Sequence, residues 1–176
     1  MDRQKALDFL HKYVTNEYQL HHAEMVETAM RVAAKQLGED EEKFGFLGLI
    51  HDWDFDQWPT EHPGRYDQLQ AELPEVDPEM LDAIKGHADL NFPRTTKLMQ
   101  ALLALDELSG LFYAYHKMVP KYADMKVSSI NKKLTKELSF AAKINRQDIL
   151  TGIQELGIPQ DQLIEIVRDA FAAKYD

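Results

Sequence analysis

The sequence predicts an all-α fold in a single domain. Three observations carry that expectation. Apolar residues recur at helical spacing nearly throughout, capping and stop residues punctuate the pattern, and no run of four to eight residues alternates as a strand would. No internal repeat, low-complexity tract or interdomain linker interrupts residues 1–176. A chain of 176 residues is large enough to bury roughly 70% of its unfolded surface in one core.

Residues 3–14 read as a first amphipathic helix, and 17–37 as a second that stops before Gly38. Asp40 caps a third, with Glu41 and Glu42 at the positive end of its dipole. It runs through Phe44-Gly45-Phe46-Leu47-Gly48-Leu49-Ile50 into His51-Asp52. A loop with Pro59, Pro63 and two tryptophans follows over 53–63, then a short helix around 64–72. Asp77-Pro78 supplies a cap and a proline at the first helical position, opening a helix to about His87. The segment 94–118 is long, apolar and helical, and Pro120 marks its end. Helices at 127–134, 145–156 and 160–174 complete the chain, the last two separated by Gly157 and Pro159.

With 30 acidic against 20 basic residues the net charge is -10, which disfavours a nucleic acid polymer as primary partner. A small anionic substrate remains compatible, because a bound metal inverts the local field. There is no cysteine, so no disulfide and no thiolate ligand. No secretory leader or membrane-length apolar run is visible, and a cytoplasmic location with no membrane partner is the expectation. The oligomeric state is not readable at this level.

Several polar residues fall where a core is being built. On the second helix Val26, Ala29, Met30, Ala33 and Leu37 define a buried stripe, and His22 lies on it while His21 points away. On the third, Gly45, Gly48 and Asp52 share a face. Interior glycine costs about 1 kcal/mol against alanine, so the pair implies close helix packing or room beneath His51 and Asp52. Asp106 sits inside the apolar stretch Ala101–Phe112, where an ionised carboxylate needs a cation or several donors. Glu107 is expected towards the rim. His87 lies on the apolar side of its helix, and His62 in the Pro59–Pro63 loop. His11 and His116 are expected at the surface. Each of these has a bland explanation alone, such as a histidine bonded to a carbonyl or an Asp–Arg pair. Together, imidazoles and carboxylates without cysteine suit Mn, Fe, Co, Ni or Zn.

The ordered residues His22, His51-Asp52 and Asp106 resemble the HD superfamily of metal-dependent phosphohydrolases, whose pattern is His…His-Asp…Asp. The likeness extends to Gly48-Leu49-Ile50-His51-Asp52-Trp53-Asp54-Phe55-Asp56, to Glu61-His62-Pro63, and to Ile84-Lys85-Gly86-His87-Ala88-Asp89. It takes in Ala104-Leu105-Asp106-Glu107-Leu108-Ser109-Gly110, and near the end Ser139-Phe140-Ala141-Ala142 with Asn145-Arg146-Gln147-Asp148-Ile149. The motif region spans roughly 18–118, with the helices of 127–174 behind it.

The resemblance implies a metal held by His22, His51, Asp52 and Asp106. It also implies a second ion on His62 and His87 with Asp52 as bridge, although the gap from Asp52 to His62 departs from the usual pattern by being short. The implied activity is hydrolysis of a phosphate ester on a nucleotide or another small phosphorylated metabolite. Asp54 would orient water or move a proton, while Arg65, Lys85, Arg94 and Lys97 are candidates to receive phosphate. Three alternatives stand beside it: a metal-containing regulatory module without turnover, a di-iron oxygenase, and a helical scaffold that binds no metal.

Overall fold

The computed structural model describes residues 1–176 as nine α-helices and one short 3-10 helix, with no strand. The helices are α1 (Arg3–Tyr13), α2 (Glu17–Leu37), α3 (Glu41–Ile50), α4 (Tyr66–Glu72), α5 (Pro78–His87), α6 (Lys97–His116), α7 (Val127–Thr135), α8 (Arg146–Leu156) and α9 (Gln160–Tyr175). Side chains of Asp2, Asn16, Asp40, Asp77, Thr96 and Asn145 accept from first-turn N–H groups, so six helices start on a genuine cap. Gly38 and Gly157 end α2 and α8 at φ +74° and +78°, a region that favours glycine.

Two helices start later than expected. The long helix begins at Lys97 rather than near 94, because Thr96 is its cap and Arg94 belongs to the preceding turn. The short helix begins at Tyr66, since Arg65 adopts a left-handed conformation at φ 53°.

The interior is organised around α3 and α6, whose apolar runs are buried almost completely. Helix α2 packs across α3, α6 and α9, while α5 and α8 lie against α6. The two glycines of α3 answer the question that the sequence posed. A Cβ on Gly48 would stand 2.8 Å from the backbone of Glu27, and one on Gly45 would overlap the Arg31 side chain. They serve close contact between α2 and α3. Glu27, buried at that crossing, is held by Arg3 at 2.6 and 2.7 Å and by Arg31 at 3.0 Å.

The loop after α3 is anchored at both faces. Trp53 is fully buried against Phe9 and Tyr13, with ring centroids 5.0 and 4.9 Å away. Asp56 accepts from the backbone N–H groups of Thr15 and Asn16 at 2.8 and 3.2 Å, tying the loop to the start of α2. The loop thereby presents His62 to the ends of α3 and α5. Two expectations about histidine are corrected. His21 is half-buried between Tyr113 and Tyr175, and His116 stacks on Tyr122 with centroids 4.4 Å apart; both use their apolar ring faces as packing surface.

Candidate metal centre

Six side chains from five parts of the fold converge. His22 comes from α2, His51 and Asp52 from the end of α3, His62 from the loop, His87 from the end of α5, and Asp106 from the middle of α6. They form two groups, His22–His51–Asp52–Asp106 and Asp52–His62–His87, in each of which one donor atom per residue lies within 4.8 Å of the others. Asp52 belongs to both and divides its oxygens between them. Its Oδ2 is 3.5 Å from His51 Nε2, while its Oδ1 is 3.1 Å from His62 Nε2 and 3.3 Å from His87 Nε2. Asp106 Oδ1 completes the first group, 2.8 Å from His22 Nε2 and 3.4 Å from His51 Nε2.

Three of the four rings are held in the tautomer that metal ligation requires, while His22 Nδ1 has no partner. His51 and His87 donate from Nδ1 to the carbonyls three residues earlier, Gly48 at 2.8 Å and Ile84 at 2.6 Å. His62 Nδ1 lies 2.6 Å from Asp54 Oδ1. With Nδ1 protonated, each Nε2 lone pair points inward. His51 is fully buried, and its Nε2 has no hydrogen-bond partner, an unfavourable state for a nitrogen aimed at two carboxylates. A metal ion between those donors would resolve it, and the two groups could hold one. The residues present therefore fit a metal.

Without an ion, protons take its place. Burial opposes charge on His51, His62, Asp52 and Asp106, yet their mutual attraction wins. Asp52 and Asp106 hold His51 well above the usual histidine range, and Asp52 and Asp54 push His62 up to about 9. Conversely, His51 leads the interactions that hold Asp52 and Asp106 well below the carboxylate range.

A cavity of about 280 Å³ opens onto both groups. Glu107 and Asp148 line it with Asp52 and Asp106, and no lysine or arginine does. Burial, then the Asp106 charge, raises Glu107 to about 7, and the same causes raise Asp148. Sequence reasoning left Glu107 at the rim and gave Asp148 no role. Asp148 lies forty-two positions beyond Asp106, on a helix whose docking no local pattern announces.

Four cations proposed for phosphate are placed elsewhere. Arg94 donates to Glu155 at 2.8 and 3.0 Å and to carbonyls of its own turn, so it fastens that turn to α8. Lys97 donates to the carbonyl of Leu156 at 2.7 Å, capping the end of α8. Arg65 lies over the Trp58 ring at 3.9 Å and pairs with Glu61; Lys85 pairs with Asp82 and reaches Tyr66. Asp54 also changes role. It is buried, its Oδ1 faces His62 and its Oδ2 accepts from the Gly64 N–H at 2.8 Å, so it positions His62 instead of meeting solvent water.

Scanned against protein-family models, and searched against curated proteins and solved structures, the chain finds no match. The reading of the centre therefore rests on its own geometry.

Proposed function

We propose that this protein is an HD-type, metal-dependent phosphohydrolase that cleaves a small phosphate ester. The supporting observation is the Asp52 carboxylate, with one oxygen towards His51 and the other towards His62 and His87. His22, His51, Asp52 and Asp106 would hold one ion, and Asp52, His62 and His87 a second. When bound, such ions acidify water and neutralise phosphoryl oxygens.

The chain's own groups account for the rest. Gly48 and Ile84 carbonyls fix the tautomers of His51 and His87, and the Asp54 carboxylate fixes that of His62. Hydrolysis forms a bond from the water oxygen to phosphorus and breaks the ester P–O bond; the departing alcohol oxygen keeps the electron pair and takes up a proton. Glu107, on the cavity wall beside Asp106, is the carboxyl placed to hold that proton. The absence of lysine and arginine from the wall favours substrates with a single phosphoryl group over polyphosphates.

The test is phosphate release from a panel of monoesters and diesters by protein loaded separately with Mn, Zn, Co, Ni or Fe. Release with redox-inert Zn supports the proposal. Turnover seen only with iron and oxygen would replace it with the oxygenase reading, and no turnover at all would leave a metal-binding module.

A further inference from the structure

An apolar groove of about 490 Å³ lies beside the cavity, a size within the roughly 300–1,000 Å³ typical of small-molecule sites. Tyr113 and Phe140 line it, and it shares Tyr18, Gly110 and Ile144 with the cavity, so the two spaces adjoin. No carboxylate lines the groove, in contrast to the acidic cavity; seven of its ten lining residues are hydrophobic, and Lys117 and Lys143 are its charged ones.

Gly110 stands at the junction, one turn beyond Asp106 on α6. Glycine is unfavourable inside a helix, and backbone packing does not require it here. A Cβ on Gly48 or Gly152 would strike a neighbouring backbone; one on Gly110 would meet only the tip of Ile144, at 2.9 Å, and the Tyr18 hydroxyl at 4.0 Å. Its missing side chain makes room for the tip of Ile144, and both residues line the cavity and the groove. Across from it, Ala141 holds a left-handed φ of 44°, strained for a residue with a Cβ. Arg146 fixes that wall by donating to the carbonyls of Phe140, Ala141 and Ile144.

We propose that the groove receives the apolar part of a ligand whose phosphoryl head lies at the histidine-carboxylate centre. The preferred substrate is then a phosphomonoester of an alkyl or aromatic alcohol, and this assignment rests on the phosphoester reading above. The alcohol would cross from cavity to groove past Gly110 and Ile144.

Binding of the non-hydrolysable ethylphosphonate and hexylphosphonate, followed by calorimetry on the metal-loaded protein, tests this directly, alongside turnover of ethyl and hexyl phosphate. Each buried methylene is worth roughly a fourfold gain in affinity, so hexylphosphonate binds at least about tenfold tighter. Gly110→Val displaces Ile144 at the wall that cavity and groove share and collapses the hexyl-to-ethyl ratio. Tyr113→Ala, at a partly buried wall position, lowers the same ratio if the valine variant does not fold. Turnover of ethyl phosphate with no hexyl preference overturns the groove assignment and leaves the hydrolase reading standing. Hexyl preference in binding with no turnover of either ester does the opposite. Failure of both phosphonates to bind overturns both, whereas a dimer in which a second copy covers the groove and no hexyl preference exists overturns the groove assignment alone.

Discussion

Asp54→Asn changes one atom at a buried position and separates positioning of a ligand from ligation itself. The Asp54 carboxylate takes the Nδ1–H of His62 at 2.6 Å and the Gly64 N–H at 2.8 Å. Asparagine has one acceptor oxygen for those two donors. If that oxygen keeps Gly64, the amide NH₂ faces His62 Nδ1 and drives the ring proton to Nε2, the nitrogen needed for metal. Disrupting such an outer hydrogen bond typically weakens metal affinity by roughly 10–100-fold, or about 1.4–2.7 kcal/mol. The loss falls on the His62–His87 side, because His22, His51 and Asp106 make no contact with Asp54. Calorimetric titration of metal-free protein resolves the two affinities, and an NMR titration follows His62 in parallel. In the variant the His62 pKa also drops from about 9 towards its ordinary value, since one of its two carboxylate partners is neutralised. An unchanged weaker site, or equal weakening of both sites, refutes this account of Asp54.

Other substitutions and conditions probe the remaining parts. Gly48→Ala presses a methyl group against the Glu27 backbone; the overpacking cost of about 2–3 kcal/mol exceeds the roughly 1 kcal/mol gain in helix propensity, and urea unfolding reads the difference. Arg94→Ala removes charged hydrogen bonds to Glu155 and lowers stability by about 1–3 kcal/mol while metal affinity and any ester KM stay as in wild type; a raised KM without lost stability contradicts its structural assignment. Stability of the metal-free protein falls as pH rises from about 6.5 to about 9, because His62 is raised in the fold: its contribution is complete below the unfolded pKa and lost through the folded one. Glu107, raised from 4.5 to about 7, acts in the same direction at lower pH, its contribution complete below 4.5 and lost by about 7, since the native state holds its proton longer than the unfolded chain does. Metal affinity runs the other way across that interval, rising as ions displace the His51 and His62 protons, and calorimetry in buffers of different ionisation enthalpy counts the protons released.

The helical architecture was legible because caps and periodicity agree: Asp40, Asp77 and Gly38 mark real ends, and the α3 and α6 runs are buried as their all-round apolarity requires. His22, His51, Asp52 and Asp106 stood out for one physical reason, that polar groups on apolar faces need partners. Where reasoning stopped short, tertiary pairing decides. Nothing local says that Arg94 finds Glu155, sixty-one residues away, or that Lys97 reaches the end of α8. Proximity in sequence to a ligand made them look like phosphate receptors, yet proximity in space goes to Glu107 and Asp148. Asp54 illustrates the same limit. Its position two residues after Asp52 suggested exposure to the reacting water, whereas the turn beyond Ile50 rotates it inward beneath His62.

Metal stoichiometry is the most direct measurement of the central claim that Asp52 is shared between two ion sites. Elemental analysis after reconstitution and desalting should find about two ions per chain in the wild type, as in two-metal hydrolytic centres, and less than one in Asp52→Ala. His62→Ala should retain one, because the His22–His51–Asp52–Asp106 group stays intact. Wild type and Asp52→Ala carrying equally little metal would contradict the account at its foundation.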